Sequence, residues 1–457
     1  MLPINSKIFK AYDIRGLYGE DFDNEMAYLL GLAFVALRKK DPDYKTGQKL
    51  QIAVGADMRL SSPALKDNLI RGLITAGADA IDLGLVATPT FYFAVAKYNY
   101  NGGIMISASH NPKEWNGFKL VRAQGIPISG ETGINFIKDE ILANHFLPAD
   151  QPGQILFNDS ALKDELIYTY SLIDQKKIKP LKIIADAANG MGATYLEKIL
   201  ADLPGEVIPL NFKLDGTFPA HEADPLKEET LIELKKTVFA QKANLGIATD
   251  GDGDRIFFID NLGETINPAI IRGLLAQSFL IDKPEAKIGY DVRPGKITTD
   301  LILAGGGNPV ITRVGHSLIK EQMLKEDIYF AGESSGHFYF NSPLGCFEFP
   351  SLMILKLLLL FSTSQLTIAE QVAPYKKYFS SGEINRTVSD KNLIFQQISD
   401  KYRDGKITNL DGVSVEYPDF WFNVRGSNTE PKIRLNLEAV TQELMEQKRD
   451  EVLTLLK

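Results

Sequence analysis

The chain has 457 residues, enough for several domains, and a formal net charge of −8. That balance excludes a broad basic face for nucleic acid, and the single cysteine, Cys346, excludes an intrachain disulfide or a thiolate metal cluster. With 44% hydrophobic and 24% charged residues the composition is that of a soluble globular protein. The most apolar run, residues 352–361, is interrupted by Lys356 and falls short of the about 20 residues a bilayer span needs. Residues 1–7 do not resemble a signal peptide, so no membrane association and a cytoplasmic location are expected.

In chain order, Phe9-Lys10-Ala11-Tyr12-Asp13-Ile14-Arg15-Gly16 precedes an apolar-periodic helix around residues 25–37. Residues 51–55 read as a strand and 57–62 as the loop after it. Ser62 is the expected N-cap of the next helix, with Pro63 at its first position. A strand at 80–83, a helix at 89–97 and a buried strand at 103–106 follow. That strand runs into Ser107-Ala108-Ser109-His110-Asn111-Pro112 and then Asn116-Gly117-Phe118-Lys119. Proline turns the chain and pushes the residue before it out of helix. A serine hydroxyl at a strand tip, followed by a histidine, an amide and a lysine, suits a nucleophile or a covalent group carrier. The alternative is a plain polar turn.

The pattern restarts at residues 181–185, with a loop at 186–192 and a helix. It restarts again at 287–290, with Asp291-Val292-Arg293-Pro294-Gly295 and a helix. This weak repeat of about 110 residues suggests three related α/β units, in which strands alternating with helices imply parallel sheets covered on both faces. The last roughly 80 residues, with strands at 383–388, 412–417, 420–424 and 433–440 and helices at 392–402 and 442–456, suggest a smaller α+β domain with an antiparallel sheet. The expected domains are 1–152, 153–262, 263–374 and 375–457.

Three further stretches carry chemistry. Asp250-Gly251-Asp252-Gly253-Asp254-Arg255 lies between the apolar runs 245–248 and 256–259. Glycines let its carboxylates converge, and a hard divalent cation is their natural counter-charge. An EF-hand is excluded, because its sixth position is Arg255 and its twelfth Asn261. Mg²⁺ beside a phosphate fits better, with a solvated acidic turn as the alternative. Gly332-Glu333-Ser334-Ser335-Gly336-His337 offers Glu333 and Ser335 to sugar hydroxyls and His337 for proton transfer, or is a bland turn. Arg425-Gly426-Ser427-Asn428-Thr429-Glu430-Pro431, with Arg434, gathers the donors and guanidinium groups of a phosphate-binding loop, with a plain strand-to-strand turn as the weaker alternative. No nucleotide-binding Gly-x-x-x-x-Gly-Lys-Ser/Thr motif is present.

Together and in this order, the four stretches and Ala11-Tyr12-Asp13-Ile14-Arg15-Gly16 resemble the α-D-phosphohexomutase family, in its phosphomannomutase/phosphoglucomutase branch, over nearly the whole chain. The resemblance implies three related α/β domains with mixed, largely parallel sheets and a smaller α+β domain around a central cleft. It implies a phosphoserine at Ser109, with Mg²⁺ held by Ser109, Asp250, Asp252 and Asp254. Arg15, His110, Lys119, Arg255 and His337 would line the reacting end, with Lys119 and His337 the expected proton-transfer groups. Tyr12, Arg293, Gly315, His316, Glu333 and Ser335 would contact the sugar phosphate, and Arg425, Ser427, Asn428, Thr429 and Arg434 would grip the phosphate that is not reacting.

The implied reaction interconverts hexose 1- and 6-phosphates of mannose or glucose through a hexose 1,6-bisphosphate, which also serves as activator. Partners would be small sugar phosphates, and the protein a monomer or homodimer. Asn428 matches the mannose/glucose branch, where the glucosamine branch usually has glycine; Ser334 is atypical of either and leaves phosphoglucosamine mutase as the alternative. A metal-dependent phosphatase, a serine hydrolase with the adjacent His110 as base, and an inactive sugar-phosphate binder are the other readings. No Gly-x-Ser-x-Gly elbow supports the hydrolase.

Overall fold

The structure is a computed structural model and describes residues 4–426 and 432–456. The chain divides into two compact units. One runs through Ile266 and includes His337–Ala369; the other comprises Asn267–Gly336 and the chain from Glu370 onward.

In the first unit, β1 (Ile14–Leu17), β2 (Gln51–Ala56), β3 (Asp79–Leu85), β4 (Gly102–Ile106), β5 (Trp115–Arg122) and β6 (Ile155–Phe157) form a sheet in the order β1-β5-β4-β2-β3-β6. β4, β2, β3 and β6 run parallel, while β5 is antiparallel to both β4 and β1. The helix Asn24–Lys40 begins at Asp23, whose carboxylate accepts the Glu25 N–H at 3.0 Å. It buries Leu29, Leu30 and Phe34 in the core of this sheet, each such side chain worth about 1.5–3 kcal/mol. The helix Ser62–Thr75 starts one residue earlier than expected. Ser61 takes the cap position without a side-chain bond, and the Ser62 hydroxyl instead donates to Asp57 at 2.7 Å.

A second sheet has the order β10-β9-β7-β8, with β7 (Leu181–Asp186), β8 (Gly205–Leu210), β9 (Leu245–Thr249) and β10 (Ile256–Ile259). Its only antiparallel pair is β9–β10, so residues 250–255 are the connection of a hairpin. The apolar run at 352–361 lies in the helix Pro350–Thr363, most of whose residues are buried. Among the described residues no single helix is long and apolar enough to cross a membrane.

In the second unit, strand Lys287–Asp291 pairs in parallel with Asn308–Thr312 and Ile328–Gly332. Arg293, Gly315 and Glu333 follow the carboxyl ends of these strands, where open α/β sheets bind ligands. The C-terminal sheet is antiparallel throughout, in the order Phe379–Thr387, Lys432–Ala439, Phe420–Gly426, Val413–Glu416, Lys406–Thr408. Ile394, Ile398, Phe422, Leu435 and Val452 belong to its core.

Candidate active site

Strand β4 delivers Ser109 at its carboxyl end. Ser109 adopts a left-handed backbone (φ 52°) and is buried. Its N–H donates to the Ser107 hydroxyl at 2.9 Å, and its own hydroxyl donates to Asp250 Oδ2 at 2.8 Å. The same backbone turn brings His110 Nδ1 to 3.2 Å from the Ser109 Oγ. The histidine next in sequence therefore reaches the serine. The backbone of the 250–255 connection presses on the serine: a Cβ at Gly251 would lie 2.5 Å from the Ser109 carbonyl oxygen, so only glycine fits there.

Asp250, Asp252 and Asp254 are buried, with carboxylate oxygens all within 4.8 Å of one another. Strand β5 supplies Lys119, whose ammonium donates to Asp252 Oδ2 at 2.7 Å and Asp254 Oδ2 at 2.6 Å. Thr88, at the start of the helix Thr88–Lys97, donates through its hydroxyl to Asp252 Oδ2 at 2.6 Å and through its N–H to the Asp252 carbonyl. His337 Nε2 lies 3.1 Å from Asp254 Oδ1, and Arg255 Nε lies 3.4 Å from His337 Nε2 and 3.7 Å from Asp250 Oδ2. Arg15 donates to the Asn111 side chain at 2.7 Å and pairs with Asp13 at 2.5 Å; Tyr12, half-buried, interacts electrostatically with it.

Burial and its two carboxylate neighbours push Asp250 up to about 8. Burial would raise Asp254 too, but Lys119 and His337 hold it well below the usual carboxylate range. Lys119 is buried, which disfavours its charge, yet Asp252 and Asp254 hold its affinity for the proton well above normal. Burial, followed by Arg255 and Arg15, keeps His110 well below the ordinary histidine value. The site thus gathers three crowded carboxylates, a cation between two of them, and a serine oxygen on the third.

The second unit holds the other named residues. Glu333 is buried and accepts the Gly315 N–H at 3.0 Å and Arg293 Nη2 at 3.4 Å. Arg293 also donates to Asp291 through Nε at 2.7 Å, and Asp291 with Glu333 holds the guanidinium above its ordinary value despite burial. His316 opens the helix His316–Glu326, and Ser335 is buried. Arg425 and Arg434 reach Glu383 at 3.1 and 3.0 Å. Ser427, Asn428 and Thr429 lie outside the described residues.

Four family models match in succession: the phosphoglucomutase/phosphomannomutase α/β/α domains I, II and III over residues 6–147, 164–263 and 267–378, and the C-terminal domain over 383–455. The chain belongs to the phosphoglucomutase/phosphomannomutase family. It is 38% identical over 461 aligned positions to a phosphomannomutase of Vibrio cholerae, with 98% of each chain covered. A phosphoglucomutase/phosphomannomutase family protein of Burkholderia thailandensis superposes with a TM-score of 0.87 at 30% identity, covering 100% of this chain and 98% of that one. An Aspergillus fumigatus N-acetylphosphoglucosamine mutase, solved with glucose 1,6-bisphosphate, shares the fold at a TM-score of 0.58 and 15% identity over 98% of this chain and 94% of that one. The architecture is therefore the family's, with three α/β/α domains built on mixed sheets and a C-terminal domain whose sheet is antiparallel.

The carboxylate triad fits a divalent cation. Its donors are hard oxygens, and the buried Asp252 Oδ1 accepts no hydrogen bond among the described residues. Sequence reasoning missed the residue that shapes the serine loop of this family member. Arg59, fully buried, donates to the carbonyls of Ser109 (2.8 Å), Asn111 (2.6 Å), Pro112 (2.7 Å) and Trp115 (3.0 Å). Asp57 pairs with it at 3.2 Å, and the Phe218 ring lies 5.1 Å from its guanidinium carbon. Asp291 was missed as well. It accepts from Ser334 N–H (3.0 Å), Ser334 Oγ (2.9 Å) and the buried Arg272 (3.1 Å), so the atypical Ser334 is tied to this carboxylate.

Proposed function

We propose that the chain interconverts hexose 1-phosphate and hexose 6-phosphate, with mannose as the preferred sugar, through a phosphoserine at Ser109 and a hexose 1,6-bisphosphate. The mutase class follows from family membership, and the mannose preference from relatives named phosphomannomutase. The observation that carries the residue assignment is Ser109 Oγ at 2.8 Å from Asp250, beside Asp252, Asp254 and Lys119.

In this reading Ser109, Asp250, Asp252 and Asp254 hold Mg²⁺, which when bound would neutralise charge on the transferring group. Phosphoserine donates its phosphoryl group to the free sugar hydroxyl. The serine P–O bond breaks, a sugar O–P bond forms, and the sugar hydroxyl proton passes to a protein group. After reorientation the other phosphoryl returns to Ser109. Lys119 and His337 are the proposed proton-transfer groups, with Arg15, His110 and Arg255 around the reacting oxygens. Glu333, Ser335, Arg293, Gly315, His316 and Tyr12 position the sugar. Arg425 and Arg434, with Ser427, Asn428 and Thr429, hold the distal phosphate; paired guanidinium groups match phosphate geometry.

The test is turnover of mannose 1-phosphate, glucose 1-phosphate and glucosamine 1-phosphate with Mg²⁺ and a trace of hexose 1,6-bisphosphate, for wild type and Ser109→Ala. Rapid formation of mannose 6-phosphate without free phosphate, abolished in Ser109→Ala, is the expected result. An active Ser109→Ala enzyme would remove the phosphoserine, and preference for the glucosamine substrate would overturn the choice of sugar.

A further inference from the structure

Arg425 and Arg434 stand directly opposite each other on adjacent antiparallel strands, Phe420–Gly426 and Lys432–Ala439. Like charges so placed repel. Glu383 resolves the conflict: one carboxylate oxygen lies 3.1 Å from Arg425 Nη2, the other 3.0 Å from Arg434 Nη1, with the Asn436 amide 3.4 Å away. The Nε groups of both arginines are buried and have no hydrogen-bond partner among the described residues.

The local backbone aims Glu383 at this pair. Strand Phe379–Thr387 carries a register shift between Ser380 and Glu383 against its partner strand. Gly382 sits in the shift at φ 65°, where a Cβ would meet nothing within 4 Å, so glycine serves the backbone conformation and not the space. The Ser381 hydroxyl accepts the Leu437 N–H at 3.0 Å and closes the bulge. Bulges of this kind re-aim side chains, and this one turns a carboxylate onto two cations.

We propose that Glu383 is a built-in counter-ion of the phosphate grip, and that it loosens the hold of Arg425 and Arg434 on a substrate phosphate. The proposal rests on the reading of those arginines as the grip. A phosphate brings close to two negative charges to guanidinium groups already shared with a carboxylate, and like charges at one site oppose each other. Affinity is lowered, and release is made easier. That suits an enzyme which must let go of one end of a bisphosphate and take hold of the other, because tighter uniform binding lowers KM without raising kcat. Glu383 and Arg434 are about one-third exposed, so solvent moderates the effect.

The experiment measures inorganic phosphate binding by titration calorimetry, with steady-state turnover of hexose 1-phosphate alongside. Glu383→Gln should bind phosphate about tenfold more tightly than wild type, with KM and kcat both reduced. Asn436→Asp, which adds a carboxylate beside the pair, should bind phosphate several-fold more weakly and decides the matter alone if Glu383→Gln fails to fold. Unchanged or weakened phosphate binding in Glu383→Gln, or unchanged binding in Asn436→Asp, would overturn the counter-ion role. Arg425→Gln should lose most of the binding; if it does not, the reading of the grip falls instead.

Discussion

Glu165 is a carboxyl group with almost no access to water: its residue is 1% exposed. It accepts hydrogen bonds from Thr90 Oγ1 at 2.5 Å and Ser351 Oγ at 3.2 Å, and among the described residues no ion pair offsets its burial. Burial raises it from the ordinary glutamate value of 4.5 to about 7. The folded protein therefore holds this proton more tightly than the unfolded chain does. The stabilisation is fully present below pH 4.5 and is lost as pH rises through about 7, after which folding requires a buried charge. Each tenfold in proton affinity is worth about 1.4 kcal/mol, so the distance from 4.5 to about 7 amounts to about 3 kcal/mol.

Glu165→Gln keeps the shape and one acceptor but carries no charge at any pH. Relative to wild type it should change little at pH 5 and gain about 3 kcal/mol by pH 8.5. Urea melts of the two proteins across that range, compared as differences at each pH, provide the assay. Parallel pH profiles would refute the reasoning and show that Glu165 is ionised or hydrated in the folded protein throughout.

Arg59→Met leaves Asp57 as an unpaired buried charge and should destabilise by about 3–5 kcal/mol, read by the same melts. Arg59→Lys, which cannot span four carbonyls, should keep more of the fold and lower kcat about 100-fold through a displaced Ser109. Lys119→Met should reduce turnover by about 10²–10⁴-fold and leave Asp252 and Asp254 without their cation; its residual activity should then need a different Mg²⁺ concentration from that of wild type. Chelation by EDTA should abolish turnover and Mg²⁺ restore it; activity that survives exhaustive chelation would exclude a metal role for the three carboxylates.

The candidate-site residues with polar side chains in glycine-rich turns could be picked out because their spacing is local. Asp250, Asp252 and Asp254 sit within one hairpin connection, and Ser109 at one strand end. Arg59 was not legible, because what it recognises is backbone: carbonyl oxygens 50 residues and more away carry no residue signature. An Asp-x-Arg pair in a loop beside a buried strand was the only trace. Strand β5 was missed because Asn116-Gly117 has the chemistry of a turn. In the structure the Asn116 amide is buried against the Ser61 and Ser62 hydroxyls at 2.8 and 3.0 Å, and Gly117 lies opposite Arg15. Tertiary partners outweighed local preference there. The alternation of strand and helix in the first three domains, by contrast, is a period the chain repeats, and it survives into the sheets.

The partners of Ser109 are far apart along the chain. Arg59 precedes it by 50 residues, whereas Asp250 follows by 141. At about 5–20 residues per second of synthesis, the clasp on the serine loop is available as soon as the loop leaves the ribosome. The carboxylates arrive about 7–28 seconds later. A nascent chain thus presents Ser109 already held by Arg59 but without the carboxylate that its hydroxyl meets, and that contact waits until the second sheet has been made.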